Sequence, residues 1–301
     1  MQNLPFNKPG KFYRGNLHTH STVSDGLKSI EEVCAFYKAN GYHFLSITDH
    51  FMKQFDYQIA DPRPYDSADF VSIIGAELHS GRTSTGELWH ILANGLPLDF
   101  APPTEDETGP QIAQRALDAG ALVTVAHPAW YALTEADVLS LGECHAIETI
   151  NGISYDHNDR VDSWYMLDVM LARGYRYNAL TTDDAHFHAF HNDRLKGWVW
   201  VKTETLSSDA LLMALKAGEY YCSSGPQIFD LEIVSRESIT IRCSPVNSIF
   251  ITGAGPSSAY QHGNGIIETT LSLERVKGDY CRVTIRDAQG NRAWTNPIWF
   301  D

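Results

Sequence analysis

Short apolar runs alternate with helix-like segments through residues 1–225, and this alternation constrains the fold more than any other feature. FYRGNLH, HFLSIT, FVSIIGAEL, WHILANGL, ALVTVAH, AIETIN, YRYNALTT and GWVWVK read as strands. SIEEVCAFYKANG reads as a helix, because Ser29 and Glu32 form a capping box and Gly41 closes the segment. PQIAQRALDAG, NDRVDSWYMLDVMLARG and SSDALLMALKAG repeat that logic: a polar start, apolar residues three and four apart, a closing Gly. Alternation of this length predicts a parallel α/β sheet with barrel-like closure. No helical segment separates FVSIIGAEL from WHILANGL, so the barrel is expected to be irregular. After Gly225–Pro226 only strand-like runs remain, separated by the turn-forming stretches AGPSS, HGNG, KGD and QGN. This predicts one α/β domain over residues 1–226 and a small all-β sandwich over 227–301.

The histidines and acids collect at the ends of the expected strands. GNLHTHS places His18 and His20 two apart, hence on one face of an extended chain, with Asp25 in the loop that follows. ITDH ends in His50, IGAEL in Glu77, TVAH in His127, and TTDDAH in Asp184 and His186, while WHI opens a strand with His90. A β/α barrel gathers the C-terminal ends of its strands on one surface. One ion takes about four to six ligands, so these nine residues imply two or three divalent ions, with Glu77 as the natural bridge. A lone histidine is more often structural than a ligand; it is the paired spacing and the strand-end placement that decide here. Asp49 beside His50 reads as an orienting group or a turn-former, and the spacing of two to His186 selects Asp184 over Asp183. His79, His188 and Arg194 are candidates for touching substrate, against the blander reading of loop histidines and solvated charge. His191, like His79 and His188, could touch substrate or donate a proton, against the same blander reading as a loop histidine; His43, His145, His157 and His262 read as structural, and Trp294 and Trp299 as core.

HTHSTVSDG, TDH, the Glu of GAEL, AHP and DDAH, in that order, resemble the motifs of the PHP (polymerase and histidinol phosphatase) superfamily over about residues 12–225. The resemblance implies an irregular (β/α)7 barrel with two or three Zn, Mn or Fe ions that hydrolyses phosphoesters. It assigns His18, His20, Glu77 and Asp184 to one ion, Glu77, His90 and His127 to a second, and Asp25, His50 and His186 to a third. Many members have His where this chain has Asp25, which implies a weaker or altered third site. The C-terminal segment, from YYCSSGP to RAWTNPIWF, resembles a branch with an appended β-domain that includes carbamate-ester hydrolases.

The expected chemistry is hydrolysis by water whose pKa the ions lower toward neutrality, with Glu77 and His186 in catalytic roles. The substrate is expected to be a small phosphomonoester or cyclic phosphodiester. The alternatives are a carboxylic or carbamate ester, or a non-catalytic metal- or carbohydrate-binding role for which nine converging ligands have little use. A net charge of −14 argues against a basic surface for nucleic acid, yet a cation cluster still receives a small anion. No run approaches the roughly twenty apolar residues of a membrane span. MQNLPFNKPGKFYRGN has no apolar segment of a secretory signal, and five scattered cysteines read as reduced thiols, so the expectation is a cytoplasmic protein. There is no P-loop, no HExxH, no GxSxG, and no GxGxxG after a strand.

Overall fold

The computed structural model describes residues 4–300; the first three residues of the N-terminal stretch read above, and Asp301, lie outside the described residues. Strands β1 (Lys11–Asn16), β2 (Phe44–Ile47), β3 (His50–Phe51), β4 (Val71–Leu78), β5 (Ile91–Asn94), β6 (Leu122–Val125), β7 (Ala146–Asn151), β8 (Asn178–Thr182), β9 (Trp198–Thr203) and β10 (Tyr220–Ser223) come first. Among them lie α1 (Ile30–Ala39), α2 (Gly109–Asp118), α3 (Pro128–Tyr131), α4 (Glu135–Ser140), α5 (Ser154–His157), α6 (Trp164–Ala172) and α7 (Ser208–Lys216). The remaining elements are strands: β11 (Ile228–Val234), β12 (Ser238–Thr252), β13 (Ser258–Ser272), β14 (Tyr280–Arg286), β15 (Arg292–Thr295) and β16 (Ile298–Trp299). The result is a mixed α/β fold on one large sheet. The Ser29–Glu32 capping box forms as the spacing requires, and Thr108–Gln111 and Thr134–Asp137 cap α2 and α4 in the same way. Helix α6 starts later than NDRVDSW suggests, because Asp159 turns the chain at φ 59° and Asp162 bridges to Ile150.

Hydrogen-bonded neighbours run β11-β12-β14-β15-β10-β9-β1-β2-β4-β5-β6-β7-β8. Pairs β1–β2, β2–β4, β6–β7 and β7–β8 are parallel, whereas β5 is antiparallel to both β4 and β6. That reversal matters for the site. The residue before β5, His90, lies at the same end of the sheet as the residues that follow its parallel neighbours. Beyond β1 and β8 the chain closes on itself: His20 N donates to Ala185 O at 2.9 Å and Asp184 N donates to His18 O at 2.8 Å.

The sheet path crosses residue 226 without a break, through antiparallel pairing of β15 with β10. The main apolar cluster joins Phe44, Ile73, Leu92, Val123, Ile147, Leu180 and Val199 to Tyr280, Trp294 and Trp299 from the C-terminal strands. A second cluster, including Ile241, Val246, Ile249, Val283 and Ile285, fills the C-terminal strands themselves. HGNG, expected as a turn, lies inside β13 instead. The register slips between Val246↔Ile266 and Ser248↔His262, and Gly265 sits at φ 67°, so the glycine-rich stretch is a bulge in a long hairpin. All five cysteines are buried and unpaired. Among the described residues no helix is long and apolar enough to cross a membrane.

Candidate metal centre

The sheet brings all nine strand-end residues together. His18 and His20 follow β1, His50 pairs in register with Glu77 across β3 and β4, His127 follows β6, and Asp184 and His186 follow β8. The loop carrying Asp25 is shaped by Asp49, which accepts from Ser21 N (2.8 Å), Ser21 Oγ (2.6 Å) and Ser24 N (3.1 Å). A Cβ on Gly26 would lie 2.6 Å from the His20 carbonyl, so only glycine fits that loop. Asp49 therefore forms the turn. Asp183 faces away from the cluster, accepting from Tyr37 Oη (2.7 Å) and from the amides of Leu195, Lys196 and Gly197.

Glu77 lies at the middle of the cluster. Its carboxylate is 2.7 Å from nitrogens of His50 and His90, 3.2 Å from His127, 3.7 Å from His79 and 3.8 Å from His18 and His20. Asp184 Oδ1 lies 2.9 Å from His20 Nε2 and 3.1 Å from His18 Nε2. Asp25, half-exposed, reaches His186 Nε2 at 3.4 Å and His50 Nε2 at 3.5 Å. The donor atoms of His20, Asp25, His50 and His186 lie within 4.8 Å of one another, as do those of His50, Glu77, His79 and His90, and those of His18, His127 and Asp184. A fourth group, His18, His20 and Glu77, shares a residue with each of these, so the residues form one continuous cluster. His127 and Asp184 both hold positive φ, at 25° and 51°, a strained backbone of the kind that collects at functional sites.

Burial disfavours charge on His18, His20, His50, Glu77, His79, His90 and Asp184; charged neighbours outweigh it at His18, His50, Glu77 and Asp184, and burial prevails at His20, His79 and His90. His18 is buried, yet Asp184 and Glu148 hold it well above the usual histidine range. His50 is pushed up to about 10, its burial outweighed by Glu77 and Asp25. Burial, with the neighbouring His186 and His50, drives His20 down to about 3. Burial also lowers His79 and His90. Glu77 and Asp184 fall well below the carboxylate range, because the surrounding imidazoles outweigh burial. Buried His18 Nε2, Glu77 Oε2 and His127 Nδ1 have no hydrogen-bond partner. Orphaned buried polar atoms are costly, and a divalent ion bound by imidazole and carboxylate satisfies them.

The cluster opens into a cavity of about 230 Å³ whose outer wall is Trp130, Tyr131, Ile153, His157, His188 and His191. His188 lies where a substrate contact was expected; His79 is buried behind the cluster, and Arg194 is turned to His191 O (2.7 Å) and Asp193, so neither lines the cavity. Among the described residues no lysine or arginine lines it. His157, expected to be structural, stacks on Trp130 at 4.6 Å in that wall.

The sequence reading missed Glu148. This buried carboxylate of β7 lies 2.9 Å from His18 Nδ1, accepts His127 N at 2.7 Å and takes the Thr182 hydroxyl, so it orients two candidate ligands at once. The only cue was an acid in mid-strand within AIETIN, a segment buried over its whole length. Asn151, donating to Asp184 Oδ2 at 3.0 Å, and Tyr131, whose Oη is 2.9 Å from His90 Nε2, were missed as well.

No family model matches the sequence, and comparison with curated proteins finds no match. Solved structures do match. A two-domain protein of Bacteroides vulgatus, described as containing a predicted PHP-like metal-dependent phosphoesterase, aligns with TM-score 0.53 and 14% identity over 99% of both chains. A candidate metal-dependent phosphoesterase of Bifidobacterium adolescentis aligns at TM-score 0.41 and 10% identity, and an amidohydrolase of Chromobacterium violaceum with bound sulfate and no metal at 0.44 and 15%. Each of these two covers 57% of this chain and 87% of its own. By the likeness that spans its whole length, the chain has the fold of the two-domain PHP-like protein.

Proposed function

We infer that the chain is a metal-dependent hydrolase, and specifically a phosphoesterase acting on a small phosphomonoester or cyclic phosphodiester. The observation that carries this is Glu77, an ionised carboxylate ringed by six imidazoles, with Asp184 and Asp25 on either side. In this reading two or three Zn, Mn or Fe ions would be held by His18, His20, Glu77 and Asp184, by Glu77, His90 and His127, and by Asp25, His50 and His186. Ions so held supply an activated water and neutralise charge developing on the substrate oxygens. Glu77, central to the cluster, would hold two of these ions close through its charge. His188, in the cavity wall with its ring 6.2 Å from that of His186, would deliver a proton to the leaving group, since His186 would bind an ion through Nε2 while its Nδ1 donates to Asp184 O at 3.0 Å. Glu148 fixes His18, and Tyr131 fixes His90. The architecture that goes with this reading is an irregular (β/α)7 barrel over residues 1–226 and a β-sandwich over 227–301, working in the cytoplasm on a small molecule.

A second reading has its own support. The cavity wall carries Trp130 and Tyr131 and no lysine or arginine, which suits a carboxylic or carbamate ester better than a highly charged phosphate. One experiment separates the two. Protein reconstituted with Mn, Zn or Fe is assayed on phosphomonoesters, cyclic phosphates, aryl esters and carbamates, with bound metal counted by elemental analysis. Two or three ions per chain and metal-dependent release of phosphate are expected. Turnover confined to the acyl esters would favour the second reading, and a chain that binds no ion and turns over none of them would end both.

A further inference from the structure

His79 belongs to the cluster but lies outside the nine strand-end residues. It follows β4, is buried, and does not line the cavity, so substrate does not reach it. Its two nitrogens have different partners. Nδ1 lies 2.9 Å from the carbonyl oxygen of Trp89, and Nε2 lies 2.9 Å from Nδ1 of His50. A carbonyl only accepts, so His79 Nδ1 carries a hydrogen and the lone pair of the neutral ring is on Nε2. That lone pair faces His50 Nδ1, which must then be the donor.

His50 needs this. It borders two groups of candidate ligands, with Nδ1 toward Glu77 Oε2 at 2.7 Å and Nε2 toward Asp25 at 3.5 Å. A neutral imidazole ligates through one nitrogen only, so one of these sides must carry the proton. We propose that His79 is a positioning residue: it accepts the Nδ1 proton of His50 and thereby commits Nε2 of His50 to an ion shared with Asp25 and His186. The proposal rests on the metal-centre reading above. The relay runs from the Trp89 carbonyl through His79 to His50, and it is the imidazole counterpart of the carbonyl or carboxylate that usually backs a metal-bound histidine. It has a second effect. With the His50 N–H directed to His79, Glu77 Oε2, which has no hydrogen-bond partner, stays free for an ion.

The test reads tautomers directly. Protein labelled with 15N at histidine is studied by long-range 1H–15N NMR, first stripped of metal and then loaded with diamagnetic zinc. The expected result is a neutral His79 protonated at Nδ1 in both states, with zinc on Nε2 of His50 and the proton retained on its Nδ1. In zinc titrations, His79→Leu should weaken the ion at Asp25 by about 10- to 100-fold. His79→Gln, whose amide oxygen can accept the same proton, should recover most of that loss. Zinc binding with His79 protonated at Nε2 would overturn the proposal, as would a zinc-bound Nε2 on His79, which would make it a ligand. So would a folded His79→Leu protein that binds every ion with wild-type affinity. Failure to bind zinc at all would sink the metal-centre reading and this proposal together.

Discussion

At the level of single residues, charge separates groups that geometry alone would equate. Glu77→Gln keeps the shape of the side chain and removes the charge that, in the proposed centre, would hold two cations close. Metal content should fall, and turnover should drop about a hundredfold or more, roughly 2.7 kcal/mol of barrier. Asp25 is half-exposed at the edge of the cluster, and Asp25→Ala should cost less. Elemental analysis and rates on both variants check this; near-wild-type turnover of Glu77→Gln would contradict the bridge, and an equally dead Asp25→Ala would make the third ion essential. Protonation gives a further consequence. In protein stripped of metal, His50 is pushed up to about 10 from the ordinary 6.5, so the folded state holds a proton there that the unfolded state releases. The resulting stability is fully present below about pH 6.5 and is lost as pH rises through about 10. An ion bound by His50 would replace that proton. Melting temperature should therefore fall between pH 7 and 10 in stripped protein and fall less in loaded protein; parallel curves would argue against an ion on His50. The nine candidate ligands were legible because their spacing, two apart or at strand ends, survives in a linear reading. Glu148 was missed and His79 was read as a substrate contact, because what marks their roles is a partner that the linear spacing does not show: His18 for one, and the carbonyl of Trp89 beyond an intervening loop for the other.

Among the elements, apolar patterning made every strand through β9 legible except the two-residue β3, and a capping box fixed the start of α1. Direction is another matter. Nothing in WHILANGL states that β5 runs antiparallel to both neighbours, since direction is set by the chain path from β4, and that path is what brings His90 to the site. Similarly, a Gly-Asn-Gly stretch serves a turn or a bulge equally well, and only pairing with β12 decides it. One clasp between elements was also invisible. Arg282 of β14 donates from Nε and Nη2 to both oxygens of Asp168 in α6, at 2.8 and 2.7 Å, and lies 4.5 Å over the Trp164 ring. Asp168 is partly exposed, so solvent weakens the ion pair and the bidentate geometry and ring contact contribute the rest. Arg282→Ala should lower unfolding free energy by about 2 kcal/mol without changing metal content. Chemical denaturation measures it, and a loss below about 0.5 kcal/mol would mean that the clasp is decorative.

Over the whole molecule, the C-terminal strands and the metal centre are coupled through β8. Asn296 accepts Ala179 N of β8 at 3.0 Å and donates to Gly218 O and Tyr220 O at 3.2 and 3.1 Å. Trp294 packs against Trp164 with ring centroids 5.3 Å apart, inside the same apolar cluster that supports β4 to β8. Strand β15 covers the free edge of β10. Asp184 and His186 follow β8 directly, so whatever loosens that strand moves two candidate ligands. A fragment ending at residue 226 would uncover the β10 edge, leave Trp164 without its partner, and free the Ala179 amide. Exposed strand edges and apolar faces promote association. The fragment should accordingly be aggregation-prone, should unfold without a sharp transition, and should bind fewer ions than the full chain. Circular dichroism, limited proteolysis and elemental analysis on the two proteins, purified alike, test this. A fragment that melts cooperatively and holds the full complement of metal would show that the α/β part stands alone and that its union with the C-terminal strands serves something other than stability.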